Sequence, residues 1–489
     1  MSKTKGLKQK AAKGVIWTAV QKYSMMLINF VSDIILARLL TPYDFGCIGM
    51  LAIFMILAET FIDGGFGSAL IQKKQPNQTD YSTIFYWNLG MSVILYAILY
   101  FGAPTIARFY KIPLLSSVLR VQGLILFVYA FNMVQHNQLK KKLDFKTLAI
   151  VNVIASVVSL SVTIVLAYQG FGVWSLVAKN LISATLVSII FWFFVKWRPK
   201  LIFSWQSFKE LFSFGFYMFL TRLVNNISGQ IQGLLIGRIY SANTMGYYSK
   251  ARHTENLASK SVSDIMTQVT YPLYAQVQDD KVAMQNIIRR LTMTISYITF
   301  PFMLLLLLLA KPIFIFLYTE KWLHSVPYFQ ILCVAGLFEC LQSVNFLSIP
   351  AIGKSRISFV WTMVKRILGI SFIVLGLVFF GMKGLLVGMV CNSMFSYAVN
   401  ISLVSKHIGY LWYHQLKDLF PVFAISVFAA IICYVCSLLL NLNMYPDSFL
   451  KLFVFATIYL GWSIIFKPEA FSFFKATIMS MLSKIRIKR

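Results

Sequence analysis

The chain has 489 residues, 58% hydrophobic and 12% charged, with a mean hydropathy of +0.72 and a formal net charge of +29. That composition excludes an ordinary soluble globular domain. The Lys and Arg flank apolar runs instead of forming a stripe on a soluble domain, which excludes nucleic acid as the partner of the basic excess.

The pattern predicts an all-α integral membrane protein of about fourteen transmembrane helices. The expected spans are 13–37, 45–70, 82–107, 113–137, 148–168, 173–195, 208–238, 245–275, 286–310, 325–349, 357–380, 384–405, 418–440 and 449–466. Met1 to Lys13 is basic and precedes an apolar run, as in a signal peptide. That run carries Lys22 and Asp33 and lacks a small-residue cleavage site, so it reads as a retained first helix. No connection is long enough for a soluble domain. Lys467 to Arg489 alternates apolar and basic residues and reads as a cytoplasmic amphipathic tail.

Basic residues fall in every second connection: Lys73-Lys74, Lys140 to Lys142 with Lys146, Lys196 to Lys200, Arg289-Arg290, Lys354 with Arg356, and Lys406 with Lys417. The positive-inside rule then places both termini in the cytoplasm, which an even number of spans satisfies.

An internal repeat is also visible. Arg38-Leu-Leu-Thr-Pro-Tyr-Asp-Phe-Gly46 returns as Arg238-Ile-Tyr-Ser-Ala-Asn-Thr-Met-Gly246, an offset of 200 residues. Gly170-Phe-Gly-Val matches Gly381-Met-Lys-Gly at an offset of 211. The expected organisation is an N-terminal lobe over 1–200, a C-terminal lobe over 201–410, two further spans in 411–466 and the tail 467–489. Transporters built from such parallel repeats carry substrate between their lobes.

Charges inside the spans are the candidate functional residues, because each costs at least ~2.5–3.5 kcal/mol near the bilayer centre unless it faces a polar interior. In span eight, Ser249, Arg252, His253, Asn256, Lys260, Ser263 and Asp264 fall within about 120° of helical arc. Lys250, Arg252 and Lys260 outnumber Glu255 and Asp264, which points to a cavity attracting an anion; a buried, self-paired contact is the alternative. Lys22, Asn29 and Asp33 share a face of span one. Span seven carries Arg222, Asn225, Asn226, Gln230 and Gln232, polar almost all round and hence enclosed. Lys365 and Arg366 lie inside span eleven, and Glu339 in span ten is a candidate partner for one of these bases.

Glu59 and Asp63, four apart and of like sign, are candidates for ion coupling together with Glu339. Asp63, just before Gly64-Gly65, is alternatively the cap of a broken helix. His136 reads as a solvated cap at a cytoplasmic helix end. The six Cys, including Cys433 and Cys436, read as packing residues, with neither disulfide nor metal expected. No G-x-x-x-x-G-K-[ST] motif is present, so no ATPase chemistry is expected, nor any cofactor.

Arg38 to Gly46, followed by Glu59-Thr-Phe-Ile-Asp-Gly-Gly-Phe-Gly-Ser-Ala-Leu-Ile-Gln-Lys-Lys74, resembles the polysaccharide-transporter family of bacterial lipid-linked oligosaccharide flippases. Asp80 to Asn88 and Leu139 to Lys146 resemble its colanic-acid-exporter branch. The resemblance implies the fold of the multidrug/oligosaccharidyl-lipid/polysaccharide exporter superfamily. It also implies a non-enzymatic transporter in the bacterial inner membrane, flipping a sugar repeat on undecaprenyl pyrophosphate by alternating access. Membrane lipids and polysaccharide polymerase machinery are the implied partners. Related lipid II flippases place an adjacent Arg-Asp pair in the first helix, where this sequence has the separated Lys22 and Asp33.

On that reading Arg222, Lys250, Arg252, Lys260, Lys365 and Arg366 are expected to hold the pyrophosphate. Lys22, Asn29, Asp33, Asn226, His253, Asn256 and Asp264 would line or gate the cavity. Tyr247, Tyr248 and Tyr271 would stack on sugars, or else pack or anchor at the interface. Rival readings are a multidrug exporter of the same fold, a membrane glycan polymerase or ligase, and a passive scaffold. The polymerase lacks its long outer loop here, and the scaffold does not account for bases in mid-span.

Overall fold

The computed structural model describes the backbone of residues 2–475, and the side chains of 17–475 except 260–262, 264–269 and 271–272. Among the described residues every regular element is helical, with no strand. Contacts divide the chain into two compact units, Met1–Gly246 and Tyr247–Arg489.

The first unit holds α1 (Ser2–Leu39), α2 (Pro42–Asp63), α3 (Phe66–Gln72), α4 (Gln78–Tyr110), α5 (Leu114–Gly123), α6 (Ile125–Lys141), α7 (Phe145–Tyr168), α8 (Val173–Phe194) and α9 (Trp205–Ile239). The long α10 (Ala242–Gln276) begins at its end and runs on into the second unit. There follow α11 (Lys281–Leu308), α12 (Ala310–Tyr318), a short 3-10 turn (Glu320–Ser325), α13 (Val326–Ala351), α14 (Ser355–Ile408), α15 (Trp412–Leu440) and α16 (Met444–Phe466).

Among the described residues, ten helical runs are long and apolar enough to cross a membrane. One of them, α14, breaks at Gly381 (φ 63°) and so covers the eleventh and twelfth expected spans. The expected first, seventh and eighth spans are α1, α9 and α10, of 38, 35 and 35 residues, whose polar side chains keep them out of the apolar set.

Local chemistry explains where the helices begin. Thr41 and Asp44 form a reciprocal capping box on α2, and Asn77 and Asp80 form another on α4. Ser241 stands 200 residues beyond Thr41, and its hydroxyl accepts the Thr244 amide at 3.2 Å, capping α10 in the same way. The repeated glycines meet in space. A Cβ on Gly46 would lie 1.8 Å from the Ala242 carbonyl oxygen, and one on Gly246 would lie 1.8 Å from that of Pro42. The two helix starts therefore cross backbone to backbone, which accounts for both glycines of the repeat.

The second repeat match shifts by two residues in the structure. Gly381 has φ 63° and ψ −146°, and its conformational counterpart is Gly172 (φ 53°, ψ −126°), not Gly170 (φ 85°). This left-handed region is closed to most side chains, and it is the geometry, more than the letter pattern, that repeats.

The sequence repeat and the compact units divide the chain differently, because α9 packs against α2, α3 and α4 of the first unit. Lys73 ties this together from the loop, donating to Asp80 at 3.1 Å and to Glu210 of α9 at 2.9 Å. Partial burial opposes the Lys73 charge, but its two carboxylate partners outweigh it and hold the ammonium above the usual lysine range. In the second unit the core gathers α11, α13, α15 and α16 around Ile288, Ile295, Leu341, Val344 and Cys433. Arg289 clamps that unit by donating to Asp418 at 2.7 and 3.0 Å and to Glu469 at 2.5 Å.

Candidate functional site

In the first unit the chain breaks between α2 and α3 at Gly64 (φ 52°) and Gly65 (φ 79°), and polar groups collect at the break. Asp63 accepts the Gly67 amide at 3.3 Å, capping α3, and is ion-paired with Arg222 of α9. Arg222 also donates to Ser68 at 3.0 Å, and Asn226 donates to Thr60 at 2.8 Å. A Cβ on Gly65 would sit 1.9 Å from the Gly215 carbonyl oxygen, so α9 lies directly on the break. The polar side of span seven is thus answered by α2 and α3. The side chain of Arg222 remains 49% exposed, and could still accept an anion beside Asp63.

Beside this break lies a cavity of about 600 Å³ walled by α2, α5, α6, α7 and α8. Among the described residues Glu59 is its sole carboxylate and no Lys or Arg lines it; the other polar groups include Gln122, Asn132, His136 and Asn180. The His136 ring is half-buried in this wall, 6.0 Å from that of Phe191, so it is not a solvated cap. Burial is what a helix-end position could not reveal. The amides had no visible signal beyond being lone polar residues in apolar spans. Asp63, by contrast, is engaged with Arg222 and does not stand free beside Glu59. On α1, Lys22 and Asp33 are half-buried and Asn29 is exposed.

In the second unit, Arg252 on α10 donates to Glu255 at 2.8 Å and to Glu339 on α13 at 3.3 Å. Ser393 donates to the same Glu339 oxygen at 3.5 Å. Lys250 is 2% exposed, its ammonium 4.9 Å from the ring centres of both Tyr318 and Trp322, a cation–π cage. Among the described residues Arg252 is thus paired both within α10, with Glu255, and across to α13, with Glu339. Asn256 is half-buried with its carbonyl oxygen unsatisfied among the described residues, and His253 is exposed. The side chains of Lys260, Asp264 and Tyr271 lie outside the described residues. Tyr247 stacks on His324 at 5.1 Å and Tyr248 is buried against Met389, so both are committed to packing in this structure.

The remaining bases are on α14. Lys365 donates to Asn400 at 2.7 Å and lies 4.9 Å over the Phe346 ring; Arg366, next to it, is exposed. Among the described residues neither of these adjacent cations is hydrogen-bonded to a carboxylate.

Residues 35–327 match the family described as "Polysaccharide biosynthesis protein". The chain is 25% identical over 350 residues to the teichuronic acid biosynthesis protein TuaB of Bacillus subtilis, covering 71% of this chain and 72% of that one. It is 24% identical over 446 residues to the lipopolysaccharide biosynthesis protein WzxC of Escherichia coli, 89% of each chain. Its fold is that of the lipid II flippase MurJ in an inward closed conformation, with a TM-score of 0.74 at 15% identity over 92% of this chain and 98% of that one. With ten apolar spans among its described residues, this is a multi-pass membrane protein of MurJ-like fold.

Proposed function

The chain belongs to the polysaccharide biosynthesis protein family, and on that premise we propose that it flips a lipid-linked oligosaccharide across the membrane by alternating access. The lipid is an undecaprenyl pyrophosphate carrying a sugar repeat, moved from the cytoplasmic to the outer leaflet of the bacterial inner membrane. Both termini are cytoplasmic, as the alternating basic loops require. The work is transport and not catalysis, and polymerase machinery receives the product.

The observation that carries this reading is the pair Lys365 and Arg366, adjacent cations within an apolar helix and without a hydrogen-bonded carboxylate among the described residues. A pyrophosphate bears two or more negative charges and attracts cationic side chains; Arg supplies a bidentate fork and Lys a compact point charge. Arg222, half-exposed beside Asp63, is proposed as an anion contact of the first unit taken by itself. Arg252 and Lys250 set the electrostatic frame, the one held by Glu255 and Glu339 and the other by its aromatic cage. Lys260, Asp264, His253 and Asn256 share the same helix and extend that frame. Lys22, Asn29 and Asp33 on α1, with Asn226 on α9, are proposed to line or gate the path. Glu59 is the foremost candidate for ion coupling, since Asp63 is engaged by Arg222 and Glu339 by Arg252.

Binding by the purified protein tests the assignment against an exporter of organic cations. Undecaprenyl pyrophosphate should compete with a lipid-linked oligosaccharide and tetraphenylphosphonium should not; the reverse order would assign the chain to cation export.

A further inference from the structure

We propose that the cavity of the first unit is a saccharide subsite that seats uncharged sugar rings of the head group. The proposal rests on the flippase reading and assigns a second part of the substrate to a second place in the chain.

Size comes first. At about 600 Å³ the cavity falls in the range of small-molecule sites and far exceeds what a single coupling ion needs. Charge then removes two ligand classes. Phosphate groups are held by Arg, Lys or clustered amides at helix starts, and among the described residues no base lines this wall. An apolar chain would bury Glu59, Asn132 and Asn180 against hydrocarbon with their hydrogen bonds unmade. The lipid tail and the pyrophosphate therefore belong elsewhere.

What remains matches a pyranose. Side-chain amides both donate and accept, as ring hydroxyls do, and Gln122, Asn132, Asn180 and Ser183 present such groups from three different helices. Gln122, on α5, is 6% exposed in this wall. Glu59 accepts further hydroxyls, and the Tyr129 ring offers a face to the sugar's C–H groups. The same carboxylate repels a uronate, which makes the subsite selective for neutral rings.

Purified protein would be titrated with three probes: undecaprenyl pyrophosphate, the same lipid carrying one glucosyl residue, and the same lipid carrying one glucuronyl residue. The glucosyl lipid should bind at least tenfold more tightly than the bare lipid, and the glucuronyl lipid should not. Ala184→Phe, which fills the cavity from α8, should abolish the glucosyl gain and leave the affinity for the bare lipid unchanged. Because the three-probe comparison is made on the wild-type protein, it stands even where the variant does not fold. Equal binding of the glucosyl and bare lipids by the wild type overturns the subsite while leaving the flippase reading intact, as does a glucosyl gain that survives in the filled variant. Binding of none of the three overturns the flippase reading and the subsite with it.

Discussion

Arg252 on α10 reaches Glu339 on α13 at 3.3 Å while its other terminal nitrogen holds Glu255 at 2.8 Å. The guanidinium is thus a three-way junction between two helices, built from residues 87 positions apart in one arm and a single helical turn in the other. Its energetics follow from burial: Glu255 is fully buried and both other members are 24% exposed.

Removing the base leaves two carboxylates, one of them fully buried, without the cation they share. Arg252→Gln should therefore destabilise the protein by roughly 3 kcal/mol. Adding Glu339→Gln removes half of the uncompensated charge, so the double variant should be more stable than the sum of the two single losses. Thermal unfolding in detergent across the double-mutant cycle reads this coupling, and strictly additive losses would refute it.

Arg222 and Asp63 join α9 to the helix break in the first unit. Arg222→Asp and Asp63→Arg should each lower the melting temperature and reduce export, since like charges then meet at the break. Exchanging both residues together should restore the melting temperature in part. If the exchange is no better than either single change, the pair does not dock α9.

The crossing of α2 and α10 leaves no room for a methyl group at Gly46 or Gly246. Gly46→Ala and Gly246→Ala should each force the backbones apart, at a cost of about 1–3 kcal/mol. A cysteine placed at Ser241 should react faster with a water-soluble maleimide in these variants. Unchanged reactivity together with unchanged stability would show that the close crossing is absent in the membrane.

Much of this was readable before the structure, and the limits have physical causes. Span positions follow from apolar length, and Thr41 and Asn77 announce helix starts by residue type alone. The repeat marked Gly46 and Gly246 as special without saying that each is pressed against the other's helix. The sequence offers Glu339 as a partner for one of the mid-span bases, but helical periodicity reports only same-helix neighbours and does not say that the base is Arg252. The cavity was invisible for a related reason. Its amides come from several spans, so no single window shows a polar stripe. Gly172 was mistaken for its neighbour Gly170 because both are glycines, and backbone conformation alone tells them apart.

The central claim is that positive charge on α14 carries an anionic lipid head group across the membrane. It is tested most directly by reconstituting the protein in vesicles with undecaprenyl pyrophosphate bearing a fluorescent oligosaccharide, and following its appearance in the opposite leaflet. The wild type should flip the lipid well above protein-free vesicles. Lys365→Gln/Arg366→Gln, inserted equally and melting at a similar temperature, should fall at least tenfold. Flipping at the wild-type rate by that double variant, or none above background by the wild type, would contradict the account.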